Sequence, residues 1–350
     1  MVRFVIFAEP RSGTTFLNAS LNAHPDIRAF GEIMPDHTEP HHFHHYWLKQ
    51  IERDPSVISL EHLPQVFRRY LRYLASRRRR KAVGVDVKYY QLEWKNDFLP
   101  VYKAENFRVV HVVRRNLLRR HVSWLLHQPE IRKALKRPMH ATETINRVLL
   151  PLPNPNELPQ LLNEARARID HYQRIFEDNF PCLTVDYEAM IDPETNYLTA
   201  ECQQRLFGFL EVPPLREVPV NPMRKINPAQ LRYSLSNYDE VVAALKDTPF
   251  RDLLDDPGRD VAELPFHQHM GRGHRAAESD LPAALRHYLQ AAELAPRDPE
   301  PIFHTALVYA ATNRRDKAMD LLERVLDLCG DDQMRAFYAK ARETLAGGAA

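Results

Sequence analysis

Short β-branched and aromatic runs alternate with longer stretches whose apolar positions recur at helical spacing through the N-terminal part of the chain. Val2, Phe4, Val5, Ile6 and Phe7 form the first run, long enough for one buried parallel strand. Phe16, Leu17, Ala19, Ser20, Leu21 and Ala23 then follow a helical spacing up to His24-Pro25, where proline stops the helix. Residues 82–89 and 107–113 read as two further buried strands, and 114–124 as a helix continuing directly from the second. A helical pattern over 161–180, a strand leading into 187–190 and a helix from about Ala200 to 213 complete the alternation. Strands alternating with helices predict an α/β fold, a parallel sheet flanked by helices.

From about Pro265 the pattern becomes all-helical and repetitive. Ala284 and Ala318 stand 34 residues apart in similar surroundings, with Tyr309 between them. That period is the one expected of tetratricopeptide helix pairs, and 333–346 reads as a capping helix. The division expected is residues 1–258 for the α/β domain and 259–350 for a helical-repeat extension. About one and a half repeats bury too little apolar surface alone. The extension is therefore expected to dock on the first domain or on another subunit, as a homodimer or with a protein partner.

The 350 residues suffice for one α/β domain of roughly 250 residues plus an appendage. Their 48 basic and 46 acidic side chains leave a formal net charge of +2, which argues against a nucleic-acid binder. Cys182, Cys202 and Cys329 lie far apart without metal-site or disulfide spacing, as suits a reducing cytosol. Glu9, Pro10 and Arg11 cut the first apolar run too short for a membrane span or a secretory segment. A soluble, cytoplasmic protein is the expectation.

Chemistry concentrates in the turn Pro10-Arg11-Ser12-Gly13-Thr14-Thr15, between the first strand and the first helix. Gly13 lets the backbone approach a ligand closely, and the free N–H groups at the helix start favour an anion. The turn departs from the usual phosphate loop G-x-x-x-x-G-K-[ST]. Ala8 stands at the first glycine and Thr14 at the lysine, and the cation has moved to Arg11. A second cationic strand end follows at Arg114-Arg115-Asn116, with Ser123 eight residues beyond Arg115. Eight residues are just over two helical turns, a spacing that lets a guanidinium and a hydroxyl face one phosphate.

Together these motifs resemble the sulfotransferases that use 3′-phosphoadenosine 5′-phosphosulfate (PAPS). The first matches the family's P-[KR]-[ST]-G-[ST]-[ST], and Arg115 and Ser123 match its pair on the donor's 3′-phosphate. The resemblance covers about residues 1–255 and implies a P-loop-type sheet. Within it, His24-Pro25-Asp26-Ile27 followed by Gly31-Glu32 is similar to the tyrosyl-protein and bacterial carbohydrate members, which makes Glu32 the expected general base. Lys88 falls where the family has G-x-K, at a strand end aimed into the ligand crevice, and is expected on the transferring sulfonate. Tyr187, in Tyr187-Glu188-Ala189-Met190, matches a tyrosine near the donor nucleotide. Arg224 or Lys225 lies in a basic loop similar to one that reaches the donor phosphates, although the family's fuller glycine-containing version is absent.

Two clusters stand outside these motifs. His37, His41, His42, His44 and His45 crowd a proline-containing segment without the spacing that converges helical ligands; they suit an acceptor-side lid, with His42 or a neighbour as the reserve base. Arg68, Arg69 and Arg72, followed by 77–81, form a basic helix face, solvated or turned to an acidic acceptor.

The implied reaction is metal-free transfer of a sulfonate group from PAPS to an acceptor hydroxyl, leaving 3′,5′-bisphosphoadenosine. Arg11, Ser12, Gly13, Thr14 and Thr15 would hold the 5′-phosphate. The acceptor is expected to be a carbohydrate or related small molecule, with a peptide tyrosine as the alternative and an alcohol or amine also open. A magnesium-dependent P-loop kinase fits less well, since Thr14 replaces the lysine. A non-catalytic binding protein built on the repeats is the third reading.

Overall fold

The first apolar run folds as strand β1 (Val2–Ala8), and Phe4 to Ala8 lose all exposure to solvent. The computed structural model describes residues 1–34, 42–76, 80–93, 98–129, 131, 150–217, 219, 221, 231–254, 265–277, 279–296, 298–329 and 332–347. In chain order β1 is followed by α1 (Thr14–Asn22), β2 (Ile27–Glu32), α2 (Phe43–Arg53), α3 (Leu63–Ser76), β3 (Ala82–Lys88), α4 (Tyr89–Glu93) and α5 (Phe98–Ala104). Next come β4 (Phe107–Val113), α6 (Leu117–Leu125), α7 (Leu158–Asn179), β5 (Cys182–Asp186) and α8 (Tyr187–Met190). A short antiparallel ribbon, β6 (Ile191–Asp192) with β7 (Tyr197–Leu198), leads to α9 (Ala200–Phe209) and α10 (Tyr238–Leu245).

Strands β1 to β5 form one parallel sheet in the order β2-β3-β1-β4-β5. Buried along most of their length, β1, β3 and β4 read as unbroken apolar runs, which is why their limits were legible, whereas β2 was not read as a strand. The register brings their carboxyl ends to one edge. Ala8 pairs with Lys88 on one side and Val112 on the other, Glu32 with Asp86, and Val113 with Asp186. In a sheet of this kind, that edge is where ligands bind, at the point where the strand order reverses.

Two apolar layers flank the sheet. Phe16, Leu17 and Leu21 of α1 pack with Leu206 and Phe207 of α9 on Phe4, Ile6, Val110 and Val112. Phe67 and Tyr70 of α3, Tyr102 of α5, Leu118 of α6 and Phe176 of α7 pack on Phe7, Val85 and Val109. Arg68 and Arg72, expected on a basic face, instead reach a buried carboxylate. Glu105, 5% exposed and just past α5, binds Arg72 at 2.7 Å, Arg68 at 3.5 Å and Arg3 of β1. It ties α3 to the sheet.

Among its described residues the C-terminal region forms five helices: α11 (Pro265–Ala276), α12 (Leu281–Leu294), α13 (Pro299–Ala311), α14 (Arg315–Leu328) and α15 (Asp332–Gly347). Pro265 and Pro299 open helices 34 residues apart, as do Leu281 and Arg315. Among the described residues the first four helices pack as two pairs and a fifth helix follows. Ala284 and Ala318 are both buried, each on the second helix of its pair. Two apolar clusters, around Met270, Tyr288 and Ala291 and around Phe303, Leu322 and Tyr338, form their core. Among the described residues neither cluster contains a side chain from the sheet-bearing part. No helix among the described residues is long and apolar enough to cross a membrane.

Hydrogen bonds from Arg72, opposed by burial and reinforced by Arg3, hold the Glu105 carboxyl below its ordinary range. A lowered folded value stabilises the native state above the unfolded value of about 4.3, and that stability is lost as pH falls through the folded value. Glu105→Gln should lower the melting temperature at neutral pH, with the difference from the parent protein closing only in acid. A difference independent of pH would remove the carboxylate from this role.

Candidate active site

The turn after β1 owes its shape to two residues with positive φ, Arg11 at 69° and Gly13 at 86°. Glycine is required at the second. A Cβ there would lie 2.3 Å from the Tyr187 ring, and the left-handed conformation strains any other side chain. The first helical hydrogen bond runs from Leu17 N to Gly13 O at 3.1 Å, so the N–H groups of Thr14, Thr15 and Phe16 precede the helical ladder. The N-cap residue, Gly13, has no side chain to cap them. Ser12 Oγ is buried in the turn with no hydrogen-bond partner among the described residues.

Lys88 ends β3 beside this turn, its side chain 4% exposed. Its ammonium contacts Asp86 Oδ1 at 2.6 Å, Thr14 Oγ1 at 2.7 Å and Glu32 Oε1 at 3.3 Å. Asp86, 1% exposed, also accepts from Asn18 of α1 at 3.1 Å. Burial works against the charge on Lys88, but Asp86 and then Glu32 outweigh it and hold the lysine above its ordinary range. Burial pushes Asp86 upward, with Lys88 pulling the other way. Glu32 is the accessible partner, 40% exposed. A bulge in β2 between Ala29 and Glu32, with Gly31 at φ 73°, turns it towards the cluster. Phe43 N donates to Ile33 O at 2.8 Å, which brings the start of α2 and the buried His42 to the same strand end.

The end of β4 differs from the helix expected to follow directly. Arg114, Arg115 and Asn116 form a turn, and α6 begins at Leu117. Glu188, from α8, accepts from the backbone N–H groups of Arg115 at 3.0 Å and Asn116 at 2.9 Å, while Asn116 caps α6 by accepting from Arg119 N. Arg115 thus lies ahead of the helix that carries Ser123, and two helical turns do not describe their separation. Its Nε donates to Asp186 at 2.8 Å, at the end of β5. Ser123, buried on α6, accepts from Arg11 Nε at 3.3 Å. Arg114 joins the two motifs: it donates to Arg11 O at 3.0 Å, and its guanidinium lies 4.6 Å from the centre of the Tyr187 ring.

All five strand ends therefore contribute. Arg11 meets Ser123, Lys88 meets Thr14 and Glu32, and Tyr187 lies over Gly13, all around one turn that also holds the buried Ser12, while Arg115 binds Asp186 at the end of β5 and Thr15 is exposed on the first turn of α1. Arg224 and Lys225, with His37 and His41, lie outside the described residues. Asp86, Arg114, Asp186 and Glu188 escaped the sequence reading as site residues, as did Glu9, whose buried carboxylate anchors the turn to Arg168 of α7 at 2.8 Å and Arg120 of α6 at 3.5 Å. The signals were there: a lone acid inside the apolar run of β3, and the acid following Tyr187. His111, fully buried in β4 and paired with the Tyr89 hydroxyl, is pushed down to about 4, first by burial and then by Arg115. It is a neutral core side chain.

Chemically, the cluster offers an anion three kinds of donor: backbone N–H groups, guanidinium groups and a buried ammonium, with a carboxylate on that ammonium. No protein-family model matches the chain, and no curated protein matches it.

Lys88→Met should destabilise the protein by about 3–5 kcal/mol at neutral pH, because it leaves Asp86 as an uncompensated buried charge. In that variant the Asp86 value rises further above its unfolded one. Protonation then favours the folded state, so the loss shrinks as pH falls. Melting curves of both proteins from neutral to mildly acidic pH test this; a gap that widens in acid would contradict it.

Proposed function

We propose that the protein transfers a sulfonate group from PAPS to an acceptor hydroxyl. The observation that carries this reading is the Lys88 cluster. The turn has threonine where a phosphate loop has lysine, and an ammonium from the neighbouring strand is bound to that threonine and to Glu32. A sulfonyl group carries less charge than a phosphoryl group, so fixed arginine and lysine side chains suffice to balance it. The turn, read as a P-loop-type element, fits the donor's 5′-phosphate through the N–H groups of Gly13, Thr14 and Thr15, the orphaned Ser12 hydroxyl and Arg11. Arg115 and Ser123 fit the 3′-phosphate, with Tyr187 beside them. Arg224 and Lys225 keep the donor-phosphate role that the resemblance gives them.

Lys88 couples donor binding to the base. Its three N–H donors are met by Thr14, Asp86 and Glu32, and Glu32 is the accessible one. A sulfonate oxygen would displace Glu32 from the ammonium and leave its carboxylate to take the acceptor's proton. The acceptor oxygen then forms the new bond to sulfur in line, as the bond from sulfur to the bridging oxygen breaks. Lys88 and Arg11 stabilise the charge that gathers on that oxygen, and 3′,5′-bisphosphoadenosine departs.

A carbohydrate or related hydroxyl is the acceptor we favour, ahead of a peptide tyrosine. Tyr90, exposed two residues beyond Lys88, offers a sugar a stacking face. A cytoplasmic location and tetratricopeptide character for the C-terminal helix pairs belong to the same reading; the 34-residue recurrence of helix starts supports the latter.

The test is release of 3′,5′-bisphosphoadenosine from PAPS in the presence of an acceptor panel. Glu32→Gln should slow turnover by about 10²–10⁴-fold and leave bisphosphate affinity unchanged, as for loss of a general base. Undiminished turnover would exclude Glu32 as the base. Arg115→Ala should instead weaken bisphosphate binding by about 1.5–3 kcal/mol, the worth of a charge-assisted hydrogen bond. An unaltered dissociation constant would remove Arg115 from the 3′-phosphate.

A further inference from the structure

Helices α11 and α13 bring three side chains with metal-binding atoms together in the C-terminal region. Glu300 and His304 are one turn apart on α13, hence on one face, with Oε1 and Nε2 3.9 Å from each other. His274 comes from the last turn of α11, and its ring centre lies 4.6 Å from that of His304. One ligand atom from each of the three residues falls within 4.8 Å of the others, and all three residues are half-buried. Tyr288 of α12 walls the cluster, its ring stacked on His304 at 5.1 Å and tilted against His274 at 5.5 Å. Asp298 caps α13 by accepting from Glu300 N at 2.9 Å, which fixes the turn that carries the carboxylate.

Bonds of about 2.0–2.1 Å to a tetrahedral ion set neighbouring ligand atoms about 3.4 Å apart. The pair at 3.9 Å reaches that spacing by a small side-chain rotation, without moving a helix. Two imidazoles and one carboxylate suit zinc and the neighbouring divalent transition metals. Calcium and magnesium need more oxygen ligands, and copper(I) prefers sulfur. We infer that His274, Glu300 and His304 bind one zinc-class divalent ion that joins α11 to α13. With three protein ligands the fourth position is left to water or an incoming group. The ion links the first helix of one pair to the first helix of the next, across a region whose own apolar clusters are small. Metal binding in such a module contributes directly to its folding free energy. The site uses none of the strand-end residues and is independent of the sulfonate-transfer reading.

Titration of the chelator-stripped full chain with cobalt(II), and then with zinc(II), tests the site. One cobalt per chain, with the visible absorption of a near-tetrahedral ion, displacement by zinc and a higher melting temperature with zinc are expected. Glu300→Gln, which keeps the side-chain shape, and His304→Gln should each weaken cobalt binding at least as much as the ~10–100-fold that loss of an outer-shell partner costs. His44→Gln, in the separate N-terminal histidine cluster, should leave it unchanged. Far-ultraviolet circular dichroism accompanies each titration, and either variant that retains the native helical signal decides. Unchanged affinity in a folded variant, or no cobalt uptake by the parent chain at submillimolar concentration, would overturn the site.

Discussion

The buried ammonium of Lys88 holds the carboxyl edge of the sheet together. It costs free energy to remove that charge from water, and the cost is met only because a carboxylate, a hydroxyl and a second carboxylate converge on it. Asp86 supplies the buried counter-charge from the same strand, Thr14 ties the ammonium to the start of α1, and Glu32 brings in the end of β2. Two strand ends and the turn are thereby fixed relative to one another by one group. A charged side chain in this position is hard to account for as packing; hydrophobic residues of similar volume commonly serve a core as well or better.

The other half of the edge is organised by acids that hold the backbone and the cations in place. Glu188 draws the N–H groups of Arg115 and Asn116 out of the path of α6, and Asp186 takes the Arg115 guanidinium. Glu9 binds Arg168 and Arg120 on the far side of the turn. The guanidinium of Arg114 then lies against Tyr187, whose ring occupies the space that Gly13 leaves open. The site is thus a frame of paired charges around a turn whose helix-start N–H groups precede the helical ladder, chemistry that favours an anion.

Strands β1 and β4 were legible to within a residue, because burial on both faces leaves an unbroken apolar run. The place of the turn at Arg11 to Thr14 was legible because an apolar run gives way there to helical spacing, with Gly13 between them. The start of α6 was not: it depends on Glu188, 73 residues beyond Arg115, and no local pattern records so distant a hydrogen bond. Asp86 was visible as an acid in an apolar strand, but its partner Lys88 was read as a ligand group alone. At the C-terminus the 34-residue recurrence was legible and the completeness of two helix pairs was not, since the first helix, α11, carries glycine and histidine where apolar residues mark the others. The Glu300–His304 spacing could be read from sequence; that His274 meets it depends on how α11 packs against α13.

Thermal melting with 3′,5′-bisphosphoadenosine, beside ADP and magnesium-ATP, tests the central claim most directly, since a ligand that binds the native state raises its melting temperature. The bisphosphate should stabilise the protein without added metal, and more strongly than ADP, because in the proposed reading Arg115 and Ser123 take the second phosphate. Stabilisation by magnesium-ATP alone would contradict the account and turn the same strand-end cluster into a phosphoryl-transfer site.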